Sequence, residues 1–170
     1  METKKTQPGH QYTETGLAWS MLPARPMDVD AIAELRATVM RPDLERLGRY
    51  DEHRVRRRFR DSFSPQHTSI ITAAGSFAGS VTLRPAEDGH WLEHFYLSPH
   101  VQGRGLGSAV LRTLLAGTDA AAEPVRLNVL QGSPARRLYE RHGFRAESQD
   151  PIDIFMLRLP LTSRTRQGLL

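Results

Sequence analysis

Apolar residues in this chain change their period between Phe63 and His67, and the change limits what the chain can become. Before it they recur every three or four positions. Val29, Ile32, Leu35 and Val39 follow a capping Asp28, and Val55, Phe59 and Phe63 follow Asp51 and Glu52. Two amphipathic helices are predicted there, the second starting on acids that suit the positive helix end, with Glu52 in reach of Arg56 at i,i+4. After the change the period is two. His67–Ala73 and Phe77–Leu83 flank Ala74-Gly75-Ser76 as a hairpin, and His90–Leu97 follows the turn Pro85–Gly89.

From there element types alternate. A helix is predicted over Gly105–Ala116 with Gly117 as its stop, a strand over Val125–Leu130, and a helix over Pro134–His142. The last has Ser133 to cap it, Pro134 in its first turn and Gly143 as its stop. Strands near Phe144–Glu147 and Ile152–Leu159 follow, and a short strand Leu17–Leu22 precedes the first helix. Such an order gives an α/β (α+β) domain: a mixed sheet with helices on both faces. At 170 residues there is room for one domain, taken as 17–159, with polar stretches 1–16 and 160–170 read as tails.

Several functions are excluded at this level. No apolar run approaches the ~20 residues that span a bilayer, and Met1–His10 carries no secretory signal, so a cytoplasmic protein without a membrane partner is expected. The absence of cysteine removes disulfides, thiolate metal sites and a cysteine nucleophile, so group transfer cannot pass through an acyl-thiol on the protein. His90 and His94 are four apart on a strand, about 13 Å, too far to share a metal, and no metal is expected. The net charge of +4 suits nucleic acid, an anionic cofactor or an acidic partner equally well. Among the basic residues only Lys4 and Lys5 are lysine.

The most informative segment is Tyr96-Leu97-Ser98-Pro99-His100-Val101-Gln102-Gly103-Arg104-Gly105-Leu106-Gly107. It passes from strand through loop into helix. Glycines at 103, 105 and 107 let backbone amides approach a ligand, and the helix start adds unpaired N–H groups, which together make a pyrophosphate cradle with Arg104 as a further charge. No Gly-Lys-Ser/Thr follows, and the glycine spacing is not that of a dinucleotide fold.

Gln102, Gly105 and Gly107 as Gln-x-x-Gly-x-Gly, with Ala135, Leu138, Tyr139, Gly143 and Phe144 as Ala-x-x-Leu-Tyr-x-x-x-Gly-Phe, resemble the GNAT N-acetyltransferase superfamily. The resemblance covers roughly Leu17 to Leu159 in element order. It implies a mostly antiparallel mixed sheet with a splayed acetyl-CoA cleft, acetyl-CoA as donor, and a primary amine of a metabolite, peptide or protein as acceptor, joined in one ternary complex. By that likeness Phe95, Tyr96 and Leu97 bind the pantetheine arm through main-chain groups, with the Leu97 N–H a donor to the oxyanion. Gln102, Gly103, Arg104, Gly105, Leu106, Gly107 and Ser108 hold the pyrophosphate. Ser133 stands where many members have Asn beside the cofactor.

Two residues carry the expected chemistry. Tyr139 is the candidate general acid, because a phenol is a suitable donor to a departing thiolate. Glu93 resembles a glutamate that some members use to deprotonate the amine through water; it and His94 point to opposite faces of the strand unless a bulge intervenes. The basic run Arg54–Arg60 lacks interleaved aromatics for base stacking, so nucleic acid is disfavoured. It and the loop Arg41–Arg49 with Tyr50 are candidates for the acceptor wall. The competing reading is a GNAT-like binding module without turnover that uses the Arg54–Arg60 helix on nucleic acid or a protein partner. A homodimer through the terminal strand is also open.

Overall fold

The structure is a computed structural model describing residues 11–161. One eight-stranded sheet runs in the order β1-β2-β3-β4-β5-β6-β8-β7. Its strands are β1 (Gln11–Tyr12), β2 (Ala18–Pro23), β3 (Thr68–Ala73), β4 (Ser76–Ala86), β5 (Gly89–Leu97), β6 (Val125–Leu130), β7 (Arg145–Gln149) and β8 (Asp153–Arg158). Every pairing is antiparallel except β5 with β6. The helices are α1 (Val29–Arg46), α2 (Glu52–Ser62), α3 (Leu106–Ala120) and α4 (Ala135–Arg141). No helix among the described residues is long and apolar enough to cross a membrane.

Helices cover both faces, as the apolar patterns require, and each face has its own core. Ile32, Ala33 and Leu35 of α1 and Phe59 of α2 pack with Ile70 and Tyr96. On the other face Leu106, Val110, Leu111 and Leu115 of α3 meet Val125, Leu127, Tyr139, Phe144 and Met156. The second core is tied to the end of α3 by Arg158, nearly buried, whose guanidinium donates to Asp119 Oδ1 and Oδ2 at 2.7 and 2.9 Å and to the His142 carbonyl at 2.8 Å.

Several expectations are corrected. Residues 11–16 are no tail: β1 pairs with β2, buried Thr13 bonds Leu17 in both directions, and Thr15 Oγ1 donates to the Arg104 carbonyl at 2.8 Å. At the other end the Leu161 N–H donates to Asp119; residues 1–10 and 162–170 of the expected tails lie outside the described residues. The first helix continues through Pro42 to Arg46, so much of the expected loop Arg41–Arg49 is helix, its last turns braced by Arg41–Glu45 and Asp43–Arg46 pairs. Gly117 does not stop α3, which runs on to Ala120. Arg56 pairs with Glu34 of α1 at 2.7 Å and only reaches the carbonyl of Glu52, because two packed helices offer an acid in better geometry than the same helix does.

Candidate functional site

Strands β5 and β6 pair only at His90–Val125 and Trp91–Arg126. Beyond those pairs they part, and a cleft of about 980 Å³ opens between them. The main chain of β5 turns unequally toward it. Ser98 N–H donates to the Ala78 carbonyl at 2.7 Å, so alternation along the antiparallel ladder points the Tyr96 main chain at β4 and those of Phe95 and Leu97 away from it. The Leu97 carbonyl confirms the direction by accepting from Gln102 Nε2 at 2.9 Å. The Leu97 N–H therefore faces the gap, whereas Tyr96, expected to offer main-chain groups there, is committed to Ser80 of β4.

A bulge also decides what Glu93 and His94 do. Thr82 pairs with Glu93 and Ser80 with Tyr96, so one extra residue sits in β5, with His94 at φ 49° and its carbonyl held by Ser80 Oγ at 2.9 Å. Both side chains then line the same cleft. Glu93 is gripped by Arg84 of β4 through two bonds of 2.6 and 3.2 Å. His94 belongs to a chain of bonds crossing three elements. Arg36 Nη1 of α1 donates to the Tyr96 phenol at 2.5 Å, the phenol donates to His94 Nδ1 at 3.0 Å, and Nε2–H then serves Ser62 Oγ of α2 at 3.1 Å. Burial, helped by Arg36 and Arg84 and opposed by Glu93, pushes the imidazole down to about 4, so it is neutral near pH 7.

The loop after β5 has the expected cradle. Gly103 and Gly105 hold φ of 72° and 79°, in the left-handed region where L side chains are strained, and Gly105 caps α3. The first helical bond is Ala109 N–H to the Gly105 carbonyl, which leaves the amides of Leu106, Gly107 and Ser108 without a helical acceptor. Gly107 serves packing: a Cβ there would sit 3.2 Å from Leu138 Cδ2 and 3.6 Å from Leu97 Cδ1. The Gln102 side chain anchors the loop to β5, Arg104 is exposed, and the Ser108 hydroxyl lies 2.7 Å from His142 Nε2.

Across the gap stands α4. Ser133 Oγ accepts from Ala135 N–H at 3.3 Å, so the serine supports the helix start as expected, although Pro134 occupies the cap. Tyr139 is buried, its ring edge-on to Phe144 at 5.8 Å, and burial pushes its phenol up. Its hydroxyl has no hydrogen-bond partner among the described residues, yet it is not sealed from the cleft that the residue lines. Among the lining residues that escaped the sequence reading is Arg36. It lies among Ile32, Leu35, Val39 and Met40 at helical spacing, and a cation on an apolar stripe was the available signal.

A sheet that splays beside an amide-rich helix start, with an unpartnered phenol across the gap, has counterparts among known proteins. Residues 65–146 match the family model described as the acetyltransferase (GNAT) domain. That stretch is similar to a GNAT domain. The fold around it resembles the PaiA N-acetyltransferase from Thermoplasma acidophilum in complex with coenzyme A (TM-score 0.68, 18% identity, 83% of this chain and 98% of that one). It also resembles the ribosomal-protein-S18-alanine N-acetyltransferase from Escherichia coli (TM-score 0.64, 17% identity, 88% and 99%). No match is found among curated protein sequences.

Proposed function

We propose that the protein is an acetyl-CoA-dependent N-acetyltransferase acting on a primary amine by direct attack. The observation carrying this reading is the Leu97 N–H, turned into the gap between β5 and β6 and sharing one cleft with the free amides of α3 and the hydroxyl of Tyr139. Acetyl-CoA is a substrate here. Its pyrophosphate suits the amides of Leu106–Ser108, and its extended amide-bearing arm suits the open main-chain groups of Phe95 beside the Leu97 N–H. The coenzyme A bound to the T. acidophilum PaiA relative supports the same donor.

In the reaction a neutral amine attacks the thioester carbonyl, a C–N bond forms, and the resulting oxyanion accepts from Leu97 N–H. As the C–S bond breaks, the thiolate takes the Tyr139 proton. The phenol is protonated at any working pH because burial raises its pKa, and without a protein partner its hydroxyl is available to the sulfur. The amine proton leaves through water toward Glu93, whose carboxylate Arg84 orients through two bonds of 2.6 and 3.2 Å.

The binding-module alternative has less behind it. Three of the five arginines in Arg54–Arg60 are paired to acids, namely Arg54 with Asp51, Arg56 with Glu34 and Arg60 with Asp30, so that face is a poor reader of phosphates. The test is CoA release on incubation with acetyl-CoA and a panel of amines, with Tyr139→Phe as the diagnostic variant. The ring packs alike in both, so acetyl-CoA affinity stays the same while kcat falls ~10²-fold, the low end for general-acid catalysis because a thiolate leaves tolerably well. A wild-type kcat in the Phe variant means that another group protonates the sulfur. No CoA release with any amine removes the enzyme reading.

A further inference from the structure

The α1–α2 side of the cleft carries an imbalance of charge. Every acid that lines the cleft is already engaged. Asp43 is held by Arg46 at 2.7 Å and Glu93 by Arg84 at 2.6 Å. Asp51 caps α2, Asp150 caps the turn into β8 through Ile152 and Asp153 N–H, and Asp153 accepts from Asn128. Arg36, Arg49 and Arg58, lining the same cleft, have no acid within ion-pair distance among the described residues.

Arg36 is the telling one. It is half-buried, and two neutral acceptors fix its guanidinium: the Val55 carbonyl takes Nε–H at 2.9 Å and the Tyr96 phenol takes Nη1–H. Its Nη2 edge has no partner among the described residues and is not among the buried unsatisfied atoms, so it is open to the cleft. A guanidinium held in position, with its Nη2 donors unoccupied and no counter-charge, is an arrangement that suits a carboxylate. Arg58 is one turn before Ser62, the residue that bonds His94, so it flanks the same end of the cleft. These arginines stand on the face opposite α3, away from the phosphate cradle.

We propose that the acceptor is a small primary amine that also bears a carboxylate, held by Arg36 with Arg58 at the rim; this rests on the acetyltransferase reading above. A small acceptor is favoured because α1 is tied to the loop after β6 beside the cleft-lining Asp43, Leu130 and Ser133: Arg46 donates to the Gln131 carbonyl at 2.8 Å, and its guanidinium lies against Gly132 closely enough that a Cβ there would meet it at 2.7 Å. A polypeptide acceptor would have to displace that tie.

The test has one arm that needs turnover and one that does not. Glutarate and its uncharged analogue glutaramide are titrated into the protein with acetyl-CoA present, and the melting temperature is followed. Glutarate stabilises and glutaramide does not, and the difference shrinks in Arg36→Gln and in Arg58→Gln, the second being an exposed helix position where a folding defect is not at issue. In the other arm kcat/KM is compared for amines that differ only in a carboxylate or its carboxamide, and for an acidic peptide. The small carboxylate is preferred at least tenfold, and that ratio falls toward one in both variants.

Equal shifts from the two titrants, a glutarate shift undiminished in both variants, or better turnover of the carboxamides or the peptide overturns the proposal. If acetyl-CoA neither binds nor releases CoA while the glutarate shift persists and depends on Arg36, the carboxylate site stands and the transferase reading falls.

Discussion

Replacing His94 by Asn, a residue that tolerates its φ of 49° and cannot ionise near neutrality, tests the hydrogen-bonded chain from Arg36 to Ser62. In the folded protein burial lowers the imidazole from 6.5 to about 4, with Arg36 and Arg84 adding to the effect and Glu93 opposing it. A histidine depressed in the folded state binds a proton more weakly there than in the unfolded chain. Acid therefore favours unfolding from about pH 6.5 downward, and the loss stops growing once the folded-state value is passed. Two and a half pH units at about 1.4 kcal/mol each, less the partial protonation of the native state at the lower end, give a loss of about 3 kcal/mol at pH 4. The Asn variant lacks this term while sharing every other titration. At pH 7 it is the less stable protein, because it loses the edge contact of His94 with Phe59 and the bonds to Tyr96 and Ser62. Urea unfolding at steps from pH 7 to pH 4.5 should show the two stabilities converging by about 1.4 kcal/mol per unit below pH 6. A constant gap across that range would mean that His94 is solvated and ionises freely, and the hydrogen-bonded chain drawn through it would be wrong.

Gly105→Ala should cost about 1–2 kcal/mol by urea unfolding, because the left-handed backbone and not crowding is the penalty: a Cβ there meets only Thr13 Cβ at 3.9 Å. Gly105→Val should in addition abolish the thermal stabilisation by acetyl-CoA while the protein still melts cooperatively. Asp119→Ala leaves the nearly buried Arg158 guanidinium unpaired, and a drop of roughly 3–5 kcal/mol is expected in denaturant. Asp119 is itself held below the usual carboxylate range by that arginine, so the pair's contribution is present above pH 4 and disappears as pH falls through the lowered value. Duplex DNA should bind no tighter than roughly micromolar at physiological salt, by anisotropy; nanomolar binding lost on changing Arg56, Arg57 and Arg58 to Ala would revive the binding-module reading.

Elements whose burial follows a regular period were legible in the sequence. Ile32 and Leu35, and Val55 and Phe59, each declare one buried face, the His67–Leu83 hairpin declares two strands that bury side chains on both faces of the sheet, and the glycines at 103 and 105 announce a turn that only they adopt easily. Elements held by other means were not. β7 is exposed along its whole length and β1 is two residues long, so neither carries an apolar signature. The last turns of α1 run past a proline on the strength of side-chain ion pairs. The bulge in β5 leaves no mark in the order Glu93-His94-Phe95, because it is imposed by the register against β4, and with it the placement of both side chains in one cleft. Arg36 and its phenol partner Tyr96 are 60 residues apart, a proximity that only the packing of α1 on the sheet creates.

Because β5 and β6 share only two residue pairs, the protein keeps a strand edge in the middle of its sheet instead of at the rim. Open edges usually invite other chains to pair with them, and outer strands are kept short or charged for that reason. This one is shielded differently, by lying between two helical layers in a slot that a second sheet cannot enter. What can enter is a single extended molecule with its own amides, for which the slot serves as the missing neighbour. The amides of Phe95 and Leu97 should then exchange with solvent faster than those of Tyr96 and Ser98 in the free protein, and slow to match them when the donor substrate is bound.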